Sequence, residues 1–253
     1  MEKKQNNTFL LKQWLIAVVS IMIFIVLLGR LIQQGYAWVA ILAIGFIIAV
    51  VLINFGSVRT NQLLQADSPK PLIAYYAKTF GRRSTPFNIA LLAFSKALGY
   101  TLYGLFDSAR AEVEKIDWEQ KPPIWQALKV YLQALWAYLE KHDFQQGTIL
   151  AKEARRLAEV SSSFPGAKRS LSSYDAIVEI GELLSGNTDP TIVTRLRKRL
   201  RRLPILVKVL IAWGLEGFYD RSGDVKQAQE MRDLLTKLAP HCKGLSRNVE
   251  TTG

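Results

Sequence analysis

The chain has 253 residues, a formal charge of +12 at pH 7 and 49% hydrophobic residues, with a positive mean hydropathy. This composition excludes a disordered chain, and it is more apolar than that of an ordinary, fully soluble domain. The single cysteine, Cys242, excludes a disulfide framework or a cysteine-rich metal site within one copy. The positive charge favours anionic partners, without choosing among lipid, nucleic acid and acidic protein.

Two apolar runs follow a short arm, residues 1–13, that contains three lysines. The first is uncharged from Gln13 to Gly29 and continues past a lone Arg30 to Leu31 and Ile32. A helix over residues 14–32 would be about 28 Å long, close to the thickness of the hydrocarbon core of a bilayer. A second run covers residues 36–55. We predict a hairpin of two transmembrane helices. The alternative is a cleaved signal peptide followed by a buried core helix; it is disfavoured because the first run is long, lacks a cleavage site of the A-x-A type and is followed at once by a second run.

Basic residues predict the orientation of this hairpin. The arm has three lysines and the side of the turn has at most Arg30, near the end of the first span, while five basic residues follow the second run: Arg59, Lys70, Lys78, Arg82 and Arg83. Loops rich in lysine and arginine stay on the cytoplasmic side. We therefore expect an integral protein of the plasma (inner) membrane, with both termini in the cytoplasm.

Residues 56–84 are expected to form a juxtamembrane linker that contains a short amphipathic helix in the segment PKPLIAYYAKTF. Its tyrosines and flanking basic residues suit a helix that lies at the lipid headgroups. The same amphipathic pattern suits a helix that covers the core of the following domain, and the pattern does not choose between the two. After it, Ser84-Thr85-Pro86 combines a polar capping residue with proline and predicts the start of a helix.

From that point to Lys243 the sequence predicts helices throughout. Apolar residues recur three and four positions apart, and no run alternates at period two for long enough to predict a sheet. Prolines fall between the predicted helices, at 122–123, 165, 190, 204 and 240. Proline is tolerated at helix starts and disrupts helix interiors, so these positions separate successive helices. The predicted fold class is therefore all-α.

The segment AWGLEGFYDRSGDVKQAQEMRDLLTKLAP, residues 212–240, resembles the tetratricopeptide repeat (TPR), a helix-turn-helix unit. The resemblance is carried by a late tyrosine, a turn glycine, a small residue where the helices cross and a closing proline: Tyr219, Gly223, Val225, Ala228, Leu235 and Pro240. The same skeleton appears at Tyr100, Gly104, Phe106, Ala109, Val113 and Ile116, and again at Tyr138, His142, Phe144, Gly147, Ala151 and Ala154. A fourth, degenerate unit lies between them and the last copy. Second helices are expected to begin near residues 107, 145, 189 and 224.

The resemblance implies a right-handed stack of antiparallel helix pairs over residues 85–243, followed by a flexible tail, residues 244–253. In such repeats the concave face typically receives a peptide or a partner helix, so protein partners are expected on the helical-repeat surface. A plain α-helical bundle with similar spacings is the alternative.

The stretch TRLRKRLRRLP, residues 194–204, contains six cations on one predicted helix. Apolar residues share one side of this helix, and the cations cover the remaining arc: Arg195, Arg197, Lys198, Arg199, Arg201 and Arg202. No acid occurs between Asp189 and Glu216 to neutralise them locally. We expect these six residues to bind anionic lipid or an acidic partner, because a membrane-anchored protein has acidic lipid close by. Nucleic acid is disfavoured, since no aromatic residues are interleaved for stacking. A merely solvated face is the alternative.

The sequence displays no catalytic pattern. Neither His142 nor His241 has the partners that a metal site or a nucleophilic triad needs, although His241 adjoins Cys242. There is no Gly-rich phosphate loop, G-x-S-x-G or H-E-x-x-H motif. We therefore predict a non-enzymatic scaffold or adaptor without cofactor or metal. The alternative is a structural subunit of a larger membrane machine, whose spans pack through the small residues Ala43, Gly45 and Ala49.

Overall fold

The computed structural model describes residues 59–82, 85–161 and 167–246. All regular structure in these ranges is helical and they contain no strand, which confirms the predicted all-α class for this part of the chain. The chain divides into two compact units, Met1–Gly56 and Ser57–Gly253, and the described residues belong to the second. The predicted spans, 14–32 and 36–55, and most of the predicted tail lie outside the described residues. Within the described ranges, no helix combines the length and the hydropathy needed to cross a membrane.

Residues 59–64 are helical, and a series of longer helices follows them. These are α1 (Lys70–Phe80), α2 (Pro86–Leu102), α3 (Phe106–Glu114), α4 (Pro123–Leu139), α5 (Phe144–Val160), α6 (Ala167–Leu184), α7 (Pro190–Arg202), α8 (Ile205–Ser222) and α9 (Val225–Leu238), with a 3-10 turn at Lys243–Leu245. The start predicted at residues 84–86 is confirmed: α2 begins at Pro86, and the Thr85 hydroxyl accepts a hydrogen bond from the Asn88 backbone N–H at 3.2 Å.

The helices form four consecutive pairs, α2/α3, α4/α5, α6/α7 and α8/α9, whose members contact each other. The second helices begin at Phe106, Phe144, Pro190 and Val225, each within one residue of the position predicted from the sequence. The first helices also contact one another in succession, α2 with α4, α4 with α6 and α6 with α8. Contacts follow the same order along neighbouring first helices, which shows that α2, α4 and α6 run parallel. Phe87–Trp125 and Phe94–Tyr131 join α2 to α4, and Tyr131–Tyr174 and Tyr138–Ile177 join α4 to α6.

Each pair has one left-handed residue in the turn between its helices. The residues are Gly104 (φ 76°), His142 (φ 54°), Gly186 (φ 102°) and Gly223 (φ 75°), and no other described residue has a positive φ. In the fourth pair, the residue after it, Asp224, donates its backbone N–H to Tyr219 O at 2.9 Å; equivalent bonds close the first and third turns. This bond satisfies a carbonyl at the helix end, and glycine adopts the required φ without steric cost.

The first helices carry most of the buried residues of the unit. Between residues 205 and 219, α8 has no exposed residue, and α4 has none after Pro123. The second helices instead each keep a solvent-exposed side, as at Lys152 and Arg156 on α5. The first helices are therefore more enclosed than the second helices, although Phe87 and Ile89 near the start of α2 are each 47% exposed.

The beginning and the end of the unit meet at the C-terminal end of α2. Helix α1 packs on α2 with Leu72 and Tyr76 buried, so in the structure it covers the core of the domain, the second of the two interpretations of this segment. The Tyr103 hydroxyl donates to Ala66 O at 2.8 Å. The 3-10 turn after α9 contacts α2 and buries Leu245. These contacts fix both flanking segments to the helix pairs.

A basic surface on helix α7

Local sequence signals determine the start and the buried side of α7. The Asp189 carboxylate accepts a hydrogen bond from the Thr191 backbone N–H at 2.8 Å, and Pro190 occupies the first helical position. Hydrogen bonds from the Thr191 hydroxyl and N–H hold the pKa of Asp189 below its usual range. Ile192 and Leu196 are buried, and the rest of the predicted apolar side is half-buried: Val193, Leu200 and Leu203. The predicted packing side is confirmed.

A row of acids on α6 runs alongside α7. Asp175, Glu179 and Glu182 are four and three residues apart, so they lie on one side of their helix. Helix α5 supplies cations to both ends of this row: Arg155 Nε lies 2.7 Å from Asp175, and Lys152 Nζ lies 2.8 Å from Glu182. The acidic row therefore joins α5 to α6.

Two of the six cations of α7 pair with this same acidic row. Arg195 Nε lies 2.7 Å from Glu179 Oε1, and Arg199 bonds both Glu179 and, at 3.2 Å, Asp175. The hydrogen bond with Glu179 raises the pKa of Arg195. Glu179 is only 7% exposed, so its charge is compensated within the fold by these two arginines. Arg195 and Arg199 thus join α7 to α6, which was not predicted from the sequence.

A third cation, Arg197, is directed towards the last helix pair. Its Nε donates to the Tyr219 hydroxyl at 2.9 Å, and its guanidinium lies 5.4 Å from the centre of the Tyr219 ring. It also contacts Gln227 and, at 3.5 Å, Glu230 of α9. Arg197 therefore joins α7 to α8 and α9.

The remaining three cations are Lys198, Arg201 and Arg202. All are exposed, and their side chains form no hydrogen bond or ion pair with a described residue. Their spacing of three and four positions places them on one side of α7. They line a groove of about 340 Å³ between α7 and α9, together with the half-buried Leu200 and with Glu230. We call Lys198, Arg201 and Arg202 the free basic triad. It is the part of the predicted site that remains open to a ligand.

The two residues adjacent in sequence near the C-terminus, His241 and Cys242, differ in environment. His241 is exposed, whereas Cys242 is buried, and burial raises the pKa of its thiol to about 12. The thiol is therefore protonated and unreactive at neutral pH, because the thiolate is the nucleophile. Within residues 59–82, 85–161 and 167–246, no group of three or more His, Cys, Asp or Glu side chains is arranged to hold a metal ion.

The acidic partners of α7 were missed from the sequence because they lie outside the basic stretch. The signal that could have revealed them is the spacing of Asp175, Glu179 and Glu182 on the preceding predicted helix. No family model, curated protein or solved structure matches this chain. Its function is therefore inferred from its residues and its geometry.

Proposed function

We propose that the chain is a membrane-anchored, non-enzymatic scaffold. Residues 14–32 and 36–55 form a two-span hairpin that leaves both termini in the cytoplasm, and residues 85–243 form a TPR-like domain at that face. There the domain gathers protein partners or assists the assembly of a membrane complex. Anchoring is the mechanism, because it turns a second contact with a partner into an effectively intramolecular one.

The observation that carries the proposal is the combination of two span-length apolar runs, with Arg30 as their single charge, and a following domain of stacked helix pairs. Four pairs with similar turns support a repeat protein, since each pair buries its apolar side only against a neighbour. The second helices expose more of their surface than the first helices do, so partners bind the outer surface of the second helices. Ile149 on α5 and Val225 on α9 are 62% and 77% exposed and offer apolar contacts there.

Extraction from membranes tests the anchor. The full chain is expected to stay in the membrane pellet during an alkaline carbonate wash, whereas a chain that lacks residues 1–56 is released. Protease added from the cytoplasmic side should cleave both ends of the full chain. Release of the full chain by carbonate would overturn the anchor.

Surface substitution tests the scaffold role. Ile149→Arg and Val225→Arg are expected to reduce the amount of protein that copurifies with the full chain, without changing its membrane anchoring. Exposed residues tolerate such changes with little loss of stability, so the fold should persist. Unchanged copurification in both variants would contradict this choice of surface, and catalytic turnover by the purified chain would contradict a non-enzymatic role.

A structural subunit of a larger membrane machine is the second candidate. It is favoured by the small residues Ala43, Gly45 and Ala49 in the second apolar run, because small side chains allow close approach of membrane helices. Gentle detergent extraction distinguishes the two candidates. One stoichiometric complex supports the subunit, and weakly bound, exchangeable partners support the adaptor.

A further inference from the structure

The six cations of α7 fall into two structurally different classes. Arg195, Arg197 and Arg199 have acidic or aromatic partners on neighbouring helices, and their role in the fold is accounted for. The free basic triad has none among the described residues. Like charges three and four positions apart on a helix repel each other, so a nearby anion would stabilise this segment. Arg201 and Arg202 also lie in the last turn of α7, where the helix dipole offsets part of this repulsion.

We propose that Lys198, Arg201 and Arg202 bind the phosphate groups of anionic lipid headgroups. The inference rests on the proposed function, because membrane anchoring places lipid close to the domain. Two arginines present planar forks that match phosphate oxygens, and the lysine adds a compact charge. The triad thereby holds the α7 side of the domain against the cytoplasmic leaflet and leaves the other outer surfaces to protein partners.

The lining of the groove favours lipid over a macromolecular partner. It contains no aromatic side chain on which a nucleic-acid base could stack. Its apolar members are the half-buried Leu200 and Met231, which is only 2% exposed, so there is little apolar surface to anchor an acidic peptide. Phosphate binds through charge complementarity, which requires neither an aromatic side chain nor an apolar surface. The α9 side of the groove contributes the acid Glu230, so the cations of the groove all lie on α7.

The expected size of the effect follows from the number of free cations. Each basic side chain near an anionic bilayer strengthens the interaction about fivefold, so removing all three should weaken it roughly a hundredfold. Because the charges are exposed, the interaction should also weaken as salt is added.

The test uses the full chain in lipid nanodiscs, with a fluorophore attached at position 194 through a Thr194→Cys substitution. Thr194 is exposed and lies one turn before Lys198, on the same side of α7. The buried Cys242, with its protonated thiol, does not compete for the label. The nanodiscs contain either phosphatidylcholine alone or added phosphatidylglycerol, and both carry a lipid with a quencher on its headgroup.

Quenching is expected to be strong with phosphatidylglycerol, weak with phosphatidylcholine alone and reduced by salt. In the variant K198Q/R201Q/R202Q, the extent of quenching should no longer differ between the two lipids. The matched control K141Q/K226Q/K243Q removes the same amount of charge from three other exposed lysines. Its quenching should still be stronger with phosphatidylglycerol. Unaltered thermal unfolding of both variants shows that each is folded. Equal quenching in the two lipids, or equal loss in both variants, overturns the proposal.

Two further outcomes separate this inference from the proposed function. If the full chain is not retained by nanodiscs, the anchor fails, and cosedimentation of the same variants with phosphatidylglycerol vesicles still decides the role of the triad. If the triad variant loses binding to a polyglutamate peptide while lipid contact is unchanged, the surface serves an acidic protein and the lipid proposal is wrong.

Discussion

His142 is the single left-handed residue in the described ranges that is not glycine. It occupies the turn of the second pair, where the other three pairs have Gly104, Gly186 and Gly223. A side chain at positive φ is strained by its own backbone, by about 1 kcal/mol. The sequence pattern alone had placed His142 at the glycine position of the repeat, and the φ angle explains why that position prefers glycine.

We expect His142→Gly to stabilise the unit by about 1 kcal/mol, because it removes this strain. Gly223→Ala should destabilise it by a similar amount. An added Cβ at Gly223 has no atom within 4 Å, so the cost there comes from the backbone alone. Urea unfolding of residues 57–253 measures both changes. If Gly223→Ala were stabilising, the backbone at this turn could leave the left-handed conformation without loss of stability, and this account would be wrong.

Tyr138 requires two glycines beside it. Its buried hydroxyl donates to Ile177 O at 3.3 Å, and Gly181 on α6 and Gly147 on α5 leave room for the ring. A Cβ at Gly181 would meet the Tyr138 hydroxyl and the Thr148 hydroxyl well inside van der Waals contact. The three helices therefore pack closely at this point because glycine has no side chain.

Gly181→Ala is expected to destabilise the unit by about 2 kcal/mol, because overpacking outweighs the gain in helix propensity. Gly99→Ala is the matched control, since its Cβ would lie 3.6 Å from Leu72 Cδ2, an ordinary contact. It should be neutral or stabilising by up to about 1 kcal/mol. Removing the hydroxyl with Tyr138→Phe should restore part of the loss in Gly181→Ala. Equal effects of the two alanines in thermal unfolding would contradict this account of the packing.

At the scale of the helices, the starts were predictable and the lateral contacts were not. Capping residues and prolines mark where α2, α7 and α9 begin, and these signals act within a few residues of the chain. The periodicity of α7 also predicted its buried side. Arg195 and Arg199 pair with acids of α6, which lie 16 to 24 residues earlier in the chain. A search for local acids within the basic stretch could not find them.

The acidic row on α6 makes a testable contribution to the packing of α5, α6 and α7. Glu179→Gln keeps the shape of the side chain but removes the charge that Arg195 and Arg199 share. We expect a loss of about 2 kcal/mol, because the exposed Arg195 and the half-buried Arg199 both lose the buried carboxylate that they share. Denaturant titration of the 57–253 fragment provides the measurement.

Glu153→Gln is the control for this experiment. Glu153 pairs with Arg156 three positions later on the exposed side of α5. Exposed pairs of this kind contribute little, so the change should be within about 0.5 kcal/mol. If the two substitutions had the same effect, the pairing of α7 with α6 would be no stronger than a surface contact.

At the scale of the whole described unit, the segment after α9 completes the core. Ala239, Cys242 and Leu245 are buried, and Gln65 Nε2 donates to Lys237 O at 3.2 Å. The main chain at Gly244 lies against α2, where a Cβ would come within 2.9 Å of Leu102 O. A tail predicted to be flexible from residue 244 thus contributes packed residues up to Leu245.

Ending the chain after Leu238 is expected to destabilise the unit by at least about 2 kcal/mol, because it removes buried apolar side chains from the end of α2. Ending it after Ser246 keeps every contact described above and serves as the control. The midpoint of urea unfolding compares the two fragments. A shared midpoint would mean that residues 239–246 add nothing to stability.

The sequence by itself determined the all-helical class, the starts of α2 and of the four second helices, and the buried side of α7, because caps, prolines, glycines and periodicity act over short distances. It also predicts the membrane hairpin and the scaffold role, and these stay predictions. Only the tertiary structure decided that the first helices carry most of the buried residues, that the final segment packs on α2 and that three of the six cations are engaged. These properties depend on residues that are far apart in sequence and adjacent only after folding, so no local pattern encodes them.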